Sequence, residues 1–446
     1  MNPETIEILR RNTEVIAGGT VSLNRVIDPM IVFEKAEGAY MWDSDGNRYI
    51  DFHAAFSPML LGHNDPEVNA AVRDSLDAKS SLFGAGTTRD EGILAELIVD
   101  AVSSVEQVQL TNSGSEATFH AIRIARAATG RDGVIVMQGG YNGWHNDVAY
   151  NLMDPVTAEN TWQPGEELER RPFTAGIPKA LMPNTHPVQF NDLGAVESLI
   201  ASSEIASVIL EPVLQNIGVV PPTPGYLEGL RRICDKTGTV LIFDEVKTGF
   251  RNGLGGYQGV ADVAPDLTTF GKAVANGYPL GVIGGKESLM SHFHHSDPSK
   301  RVLIAGTYNG HFIPVSAAIA TLSKLRAEGD EIYGRLESLG QRMEIGLGEA
   351  IKAADIPGVV ARIGSALCPY FMSYAPMNWY DIATDHNAAL DRLVRSLVLE
   401  AGIYHFPIPA KQISISAAHT AADIDEAVDR TAEALLSNPA VELLTS

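Results

Sequence analysis

The sequence predicts an α/β protein: a large domain with a mostly parallel sheet flanked by helices, plus a smaller α+β domain. The first observation is rhythm. From about Asp65 to Leu325, short apolar runs (VQLTN, GVIVMQ, ASVILEPV and TVLIFDEV) alternate with helical segments, the pattern of parallel strands covered on both faces. The second is length: 446 residues allow two packed domains, or one large domain with a satellite. The third is a change of character near Ala327, after which the helices carry more charge and a β segment, KQISISAAH (411–419), precedes a last helix. The expected division is 1–60 as an N-terminal segment joining the small domain, 61–326 as the large domain and 327–446 as the C-terminal small domain.

Element by element, the first helix starts after Asn2 with Pro3 at its first position and stops at Gly18-Gly19. FEKAEGAYMWDSDGNRYIDF (33–52) alternates and turns at Asp45-Gly46, which predicts a hairpin or small meander. The run VQLTN leads into SEATFHAIRIARAATG, a helix that ends at Gly130. Residues 153–187 break the rhythm with six prolines and little periodicity, so they form either a flap over the site or a surface excursion. The last helix is capped near Thr420 and Asp423.

Composition narrows the classes of function. Hydrophobic residues make up 45% and charged residues 20%, as in ordinary globular proteins, and the formal charge of −22 with no Lys/Arg run argues against a nucleic-acid surface. Cys234 and Cys368 form no CxxC pair and suit buried free thiols in a reducing compartment. The N-terminus lacks an apolar core of the export type, and no stretch approaches the roughly 18 apolar residues a membrane span needs. A cytoplasmic protein without membrane contact is the expectation. His292, His294 and His295 have no carboxylate or cysteine at ligand spacing, so no metal site is expected.

Chemistry concentrates at strand ends. Ser113-Gly114-Ser115 opens a helix, where free N–H groups and the helix dipole bind phosphate, although Ser115 also suits a plain N-cap. Asp244 ends the apolar run TVLIF, where a carboxylate is costly to bury without a cationic or hydrogen-bonding partner; capping the next turn is the structural alternative. Glu211 closes the strand ASVIL, and Glu-Pro is also an ordinary way out of a sheet. Tyr141 follows the strand GVIVMQ, where an aromatic stacks either on a flat ring or on its own loop. Lys272 lies 28 positions after Asp244, and a desolvated lysine amine forms an imine with an aldehyde; Lys247 and Lys286 are its competitors. An amine, a ring-nitrogen partner and a phosphate cup are the parts pyridoxal phosphate requires.

Taken in order, TNSGSEA (111–117), GGYNGWH (139–145), EPV (211–213), DEVKTGF (244–250) and LTTFGKAVANGYPLG (267–281) resemble the class III pyridoxal-phosphate aminotransferases. Within them the chain looks most like the branch holding glutamate-1-semialdehyde aminomutase and aminotransferases acting on D-phenylglycine or β-phenylalanine. The resemblance covers nearly the whole chain and implies a fold-type I enzyme using pyridoxal 5'-phosphate. It places Lys272 at the imine, Ser113, Gly114 and Ser115 at the phosphate, Tyr141 and Val246 on the two ring faces, Asp244 at the ring nitrogen and Glu211 near the 3-oxygen. Thr307, in AGTYNGH, would reach a neighbouring subunit's phosphate, so a homodimer with a shared site is implied. Three departures stand out: Asn142 where the family often has histidine, Lys247 where many relatives are neutral, and His311-Phe312 where Asn-Pro is common.

The resemblance also places Arg25 where the aminomutase branch binds a carboxylate, and Phe56 where an aromatic lies near the substrate. Lys411 stands near where the aminomutase carries a glutamate and β-phenylalanine enzymes an arginine. The implied reaction is transfer of an amino group from an amino acid (α or β, possibly aromatic) to an oxo acid such as 2-oxoglutarate. An aminomutase of the glutamate-1-semialdehyde type or an amine transaminase is the alternative. A nucleotide-binding oxidoreductase is disfavoured because no G-x-G-x-x-G opens a helix early in the chain.

Overall fold

The computed structural model describes residues 1–157 and 161–445. The first helix, Pro3–Val15, is capped by Asn2, whose side chain accepts from the Thr5 amide, with proline in the first turn. It ends before the glycine pair because Ile16 is already extended. The predicted meander forms as β1 (Phe33–Glu37), β2 (Tyr40–Asp43) and β3 (Arg48–Asp51), all antiparallel.

The four apolar runs become strands of one sheet. It consists of β4 (Gln107–Thr111), β5 (Gly133–Met137), β6 (Thr185–Val188), β7 (Ile205–Leu210), β8 (Val240–Glu245), β9 (Leu267–Phe270) and β10 (Gly281–Gly285). Their order is β4-β10-β9-β8-β7-β5-β6. Strands β6, β5, β7, β8 and β9 run parallel, whereas β10 is antiparallel to both β9 and β4. The sheet is therefore mixed by one reversed strand. Every residue of β7 and β8 is buried, as expected of strands covered on both faces.

The smaller part is built on β11 (Val359–Ile363), β12 (Ala366–Tyr370), β13 (Ile403–Tyr404) and β14 (Ile413–Ser414). Strand β13 joins the N-terminal meander beside β3, and β14 pairs with β12, so the chain's two ends share this part of the fold. The segment KQISISAAH contributes only the two residues of β14. The helix Ala421–Ser437 carries the expected Thr420/Asp423 capping box. Linking the parts is a helix of 42 residues, Phe312–Ala353, which runs unbroken through positions 326 and 327. Its Leu322, Leu325, Leu336 and Met343 belong to one core with Phe270, Val282, Leu367 and Ile424.

The proline-rich stretch is irregular until a short 3-10 helix, Met182–Asn184, just before β6, and residues 158–160 lie outside the described ones. Its flanks are tied down: the Leu168 amide donates to the Pro187 carbonyl, and Trp379 Nε1 donates to the Asp154 carbonyl at 2.7 Å. Among the described residues no helix is long and apolar enough to cross a membrane.

Gly281 begins β10 where it passes the turn after β4, and a Cβ there would lie 2.2 Å from the Ser113 carbonyl oxygen. Both atoms are backbone-fixed, so neither neighbour can yield cheaply. Gly281→Ala should lower stability by about 1–3 kcal/mol, the usual cost of overpacking. Urea denaturation of the two proteins measures this; an unchanged midpoint would show that the two strands can part freely.

Candidate active site

The centre of the site is Asp244, 2% exposed at the carboxyl end of β8. Its Oδ2 accepts from Asn142 Nδ2 at 2.8 Å, and its Oδ1 accepts from Thr269 Oγ1 at 3.0 Å and the Val246 amide at 3.1 Å. Burial raises its pKa above the ordinary carboxylate range, while those donors and Lys272 pull it down. Sequence reasoning did not single out Thr269 as a partner. The β8–β9 register places it opposite Asp244, a fact invisible until the strands are paired. Glu245, next along the strand, faces the opposite way and accepts from the Tyr257 and Gln258 amides, capping the helix Gly256–Ala261.

Lys272 follows β9 and Gly271 and has φ of +48°, in the left-handed region disfavoured for a side chain. Among the described residues its ammonium makes no hydrogen bond. Burial lowers its pKa, opposed by the carboxylates of Glu211 and Asp244, and Arg251 adds to the lowering. The competitors are occupied elsewhere. Lys286 pairs with Asp266 at 2.5 Å beyond Gly285, which registers with the start of β9 rather than its end. Lys247 donates to the Gln215 carbonyl at 2.6 Å.

The helix Gly114–Thr129 starts beside these groups, with Ser113 as N-cap accepting from the Glu116 amide. Among the described residues the amides of Gly114 and Ser115 have no acceptor, leaving two donors at a helix N-terminus. Glycine is required here for close approach: a Cβ on Gly114 would lie 2.8 Å from the Val246 methyls, and one on Gly143 3.0 Å from the Ser115 hydroxyl. Tyr141 is half-buried, and its amide donates to Glu211 Oε1 at 2.9 Å. The structure thus brings Ser113, Gly114, Ser115, Tyr141, Val246, Asp244, Glu211 and Lys272 to one end of the sheet.

Glu211, 3% exposed, also accepts from the Gln215 amide at 3.1 Å, and burial raises its pKa. Lys411 comes in from the smaller part, donating to the Asn216 carbonyl at 2.7 Å, and burial lowers its pKa to about 8. Lys247 is pressed well below the ordinary lysine range by burial and by Lys272. Its ammonium therefore neither points to solvent nor pairs directly with Glu211. Phe56 is half-buried, with its ring 4.2 Å from His53 and 5.1 Å from Phe406. Arg25 and Thr307 are not brought to this cluster: both are exposed in the single chain, Arg25 on the short helix Leu23–Arg25.

No group of three or more metal-ligating side chains occurs among the described residues. His292 Nδ1 bonds the Lys300 carbonyl, and His295 Nδ1 accepts from the Asp297 amide. The main cluster instead combines free amides in a glycine cradle, a buried carboxylate and an amine with a lowered pKa. That donor set fits pyridoxal phosphate.

Comparison with known proteins agrees. Residues 22–435 match the family model described as aminotransferase class-III. Glutamate-1-semialdehyde 2,1-aminomutase from Pelotomaculum thermopropionicum is 39% identical over 437 residues, 96% of each chain. Among solved structures, an omega-transaminase from Sphaerobacter thermophilus matches with a TM-score of 0.88 at 31% identity over 97% of both chains. A transaminase with PLP bound matches at 0.85 and 28% identity, over 98% of this chain and 97% of the other.

Borohydride reduction of the cofactor-loaded protein, followed by digestion, should leave the cofactor on the single peptide carrying Lys272. A label on the peptide of Lys247 would move the reactive amine to that residue.

Proposed function

The chain belongs to the aminotransferase class-III family, and within it we propose transfer of an amino group from a carboxylate-bearing amino acid, α or β, to an oxo acid. Pyridoxal 5'-phosphate is the cofactor, and when bound it supplies an aldehyde carbon and an electron sink. The free amides of Gly114 and Ser115 would hold its phosphate, and Tyr141 and Val246 would pack against its ring. Asp244 keeps a proton on the ring nitrogen, and Asn142 and Thr269 keep that carboxylate in place. The buried amine of Lys272 would accept the proton leaving the substrate carbon that bears the nitrogen and return it on the far side of that nitrogen. Glu211 stays anchored by two backbone amides, close enough to Lys247, Lys272 and Lys411 to oppose the lowering that burial imposes on each. Arg25 and Thr307, both outside the cluster in the single chain, complete the proposal as the anchor of the donor's carboxylate and as a contact to the site of the other subunit of a homodimer.

The observation that carries amino transfer is Lys411, whose ammonium enters the cluster beside Lys247. Cations there favour an acid acceptor and disfavour an intermediate bearing two amines. The second reading is the aminomutase, which moves nitrogen within one carbon skeleton. It has the support of the curated relatives, which favour it over amino transfer, and it needs the same residues around the cofactor. Incubating the protein with glutamate-1-semialdehyde alone separates the two. Isomerisation without an added acceptor would establish the aminomutase, whereas turnover only with an amino acid plus 2-oxoglutarate or pyruvate would establish transfer.

Two expectations follow from the residues. Lys411 loses its proton as pH rises through about 8, so KM for 2-oxoglutarate should climb above that pH while KM for pyruvate changes less. Lys411→Arg should move the climb out of range, and identical profiles for the two acceptors would remove Lys411 from acceptor binding. If Thr307 acts across subunits, Thr307→Ala should weaken cofactor retention without opening the fold. A fully active monomer at low concentration would end that assignment.

A further inference from the structure

Ala54, Ala55, Phe56 and Ser57 have φ of +47°, +52°, +67° and +80°, four successive side chains in the left-handed region without a glycine among them. The Ser57 amide donates back to the His53 carbonyl at 3.1 Å, closing one left-handed helical turn. Such a turn is disfavoured for L-residues and persists only where its surroundings over-determine it. On its N-terminal side, Asp51 Oδ1 accepts from the amides of His53 and Ala54 at 2.8 and 3.0 Å. On its C-terminal side, Arg251 Nη2 donates to the Ser57 carbonyl at 2.6 Å.

Arg251 is 1% exposed and has no carboxylate within ion-pair distance among the described residues. Its Nη1 donates to Ser365 Oγ at 2.9 Å and to the Ile415 carbonyl at 3.2 Å, both in the smaller part of the fold, while Nε has no partner among the described residues. A guanidinium buried without a counter-charge is costly. What it gains here is a fork spanning three separate segments: the turn, the β11–β12 hairpin and the exit of β14. The turn in turn carries His53 and Phe56, whose rings pack with Phe406, and His53 lies within the fields of Lys247 and Lys411.

We propose that Arg251 is a positioning residue of the site: it clamps the left-handed turn at residues 54–57 and so fixes the ring of Phe56 against His53. His53 in turn lies within the fields of Lys247 and Lys411. The geometry of the clamp does not depend on the reaction; its effect on turnover rests on the aminotransferase or aminomutase reading above. Arg251 also stands near enough to Lys272 for its charge to favour the neutral amine. One side chain therefore both holds the turn that carries Phe56 and contributes to the field at Lys272.

The test compares the holoenzyme with Arg251→Met, Phe56→Ala and the double variant. Hydrogen exchange, which needs no turnover, should show the peptide around Ser57 losing protection in Arg251→Met by about tenfold or more, the factor expected when one charge-assisted hydrogen bond is lost. Peptides of β8 and β9 should keep theirs. Unchanged protection at Ser57, or an equal loss throughout the sheet, would overturn the clamp. In the kinetic cycle the double variant should raise KM for the amino donor no more than the worse single variant, because both act through one ring. Additive effects would overturn the positioning role. Should Arg251→Met fail to fold, Arg251→Lys carries the same measurements, since it keeps the charge and loses the fork.

Discussion

A carboxylate buried at the end of a β-strand is destabilising unless donors surround it, and the way this chain buries Asp244 organises the whole sheet edge. Its three donors come from three places: the loop after β5, the neighbouring strand β9 and the turn leaving β8. Satisfying it fixes the position of Asn142, and with it the glycine-rich loop that carries Tyr141. The same loop closes on Ser115 through Gly143, so the helix N-terminus is held at a set distance from the acid. The free amides of Gly114 and Ser115, the loop of Tyr141 and the buried carboxylate are tied together by one satisfied burial.

The amines obey a related constraint. Lys247, Lys272 and Lys411 approach a region that also holds Glu211 and Asp244, and burial works against the charged form of each lysine. Two of them anchor on neighbouring carbonyls, Gln215 and Asn216, which fixes their heads without cancelling their charge. Lys272 alone has no hydrogen bond among the described residues. The site therefore separates two amines tied to carbonyls from a third, Lys272, that is not.

Much of this was legible in the sequence, for physical reasons. Continuous apolar runs disclose doubly covered strands, and a polar residue closing such a run marks a strand end; Asp244, Glu211 and the Ser113 turn were read that way. What remained hidden depends on pairing and on backbone shape. Thr269 as a partner of Asp244 needs the β8–β9 register, and Asn142, noted only as a departure from the family pattern, needs the loop's path. The reversed direction of β10 has no signature in GVIGG itself. The turn at residues 54–57 escaped because AAFS contains no glycine to announce positive φ. Arg25 and Thr307 came from resemblance, and nothing in the single chain gathers them to the cluster.

The helix Phe312–Ala353 has one further implication. At a rise of about 1.5 Å per residue it is a rod roughly 60 Å long, and its apolar face lines a core common to both parts of the fold. A joint at positions 326 and 327 would have to break helical hydrogen bonds and pull Leu322 and Leu325 out of register with Leu336. The two parts thus share one unbroken helix and one core along this beam. Severing the chain there would yield not two smaller proteins but two halves, each with an open hydrophobic face.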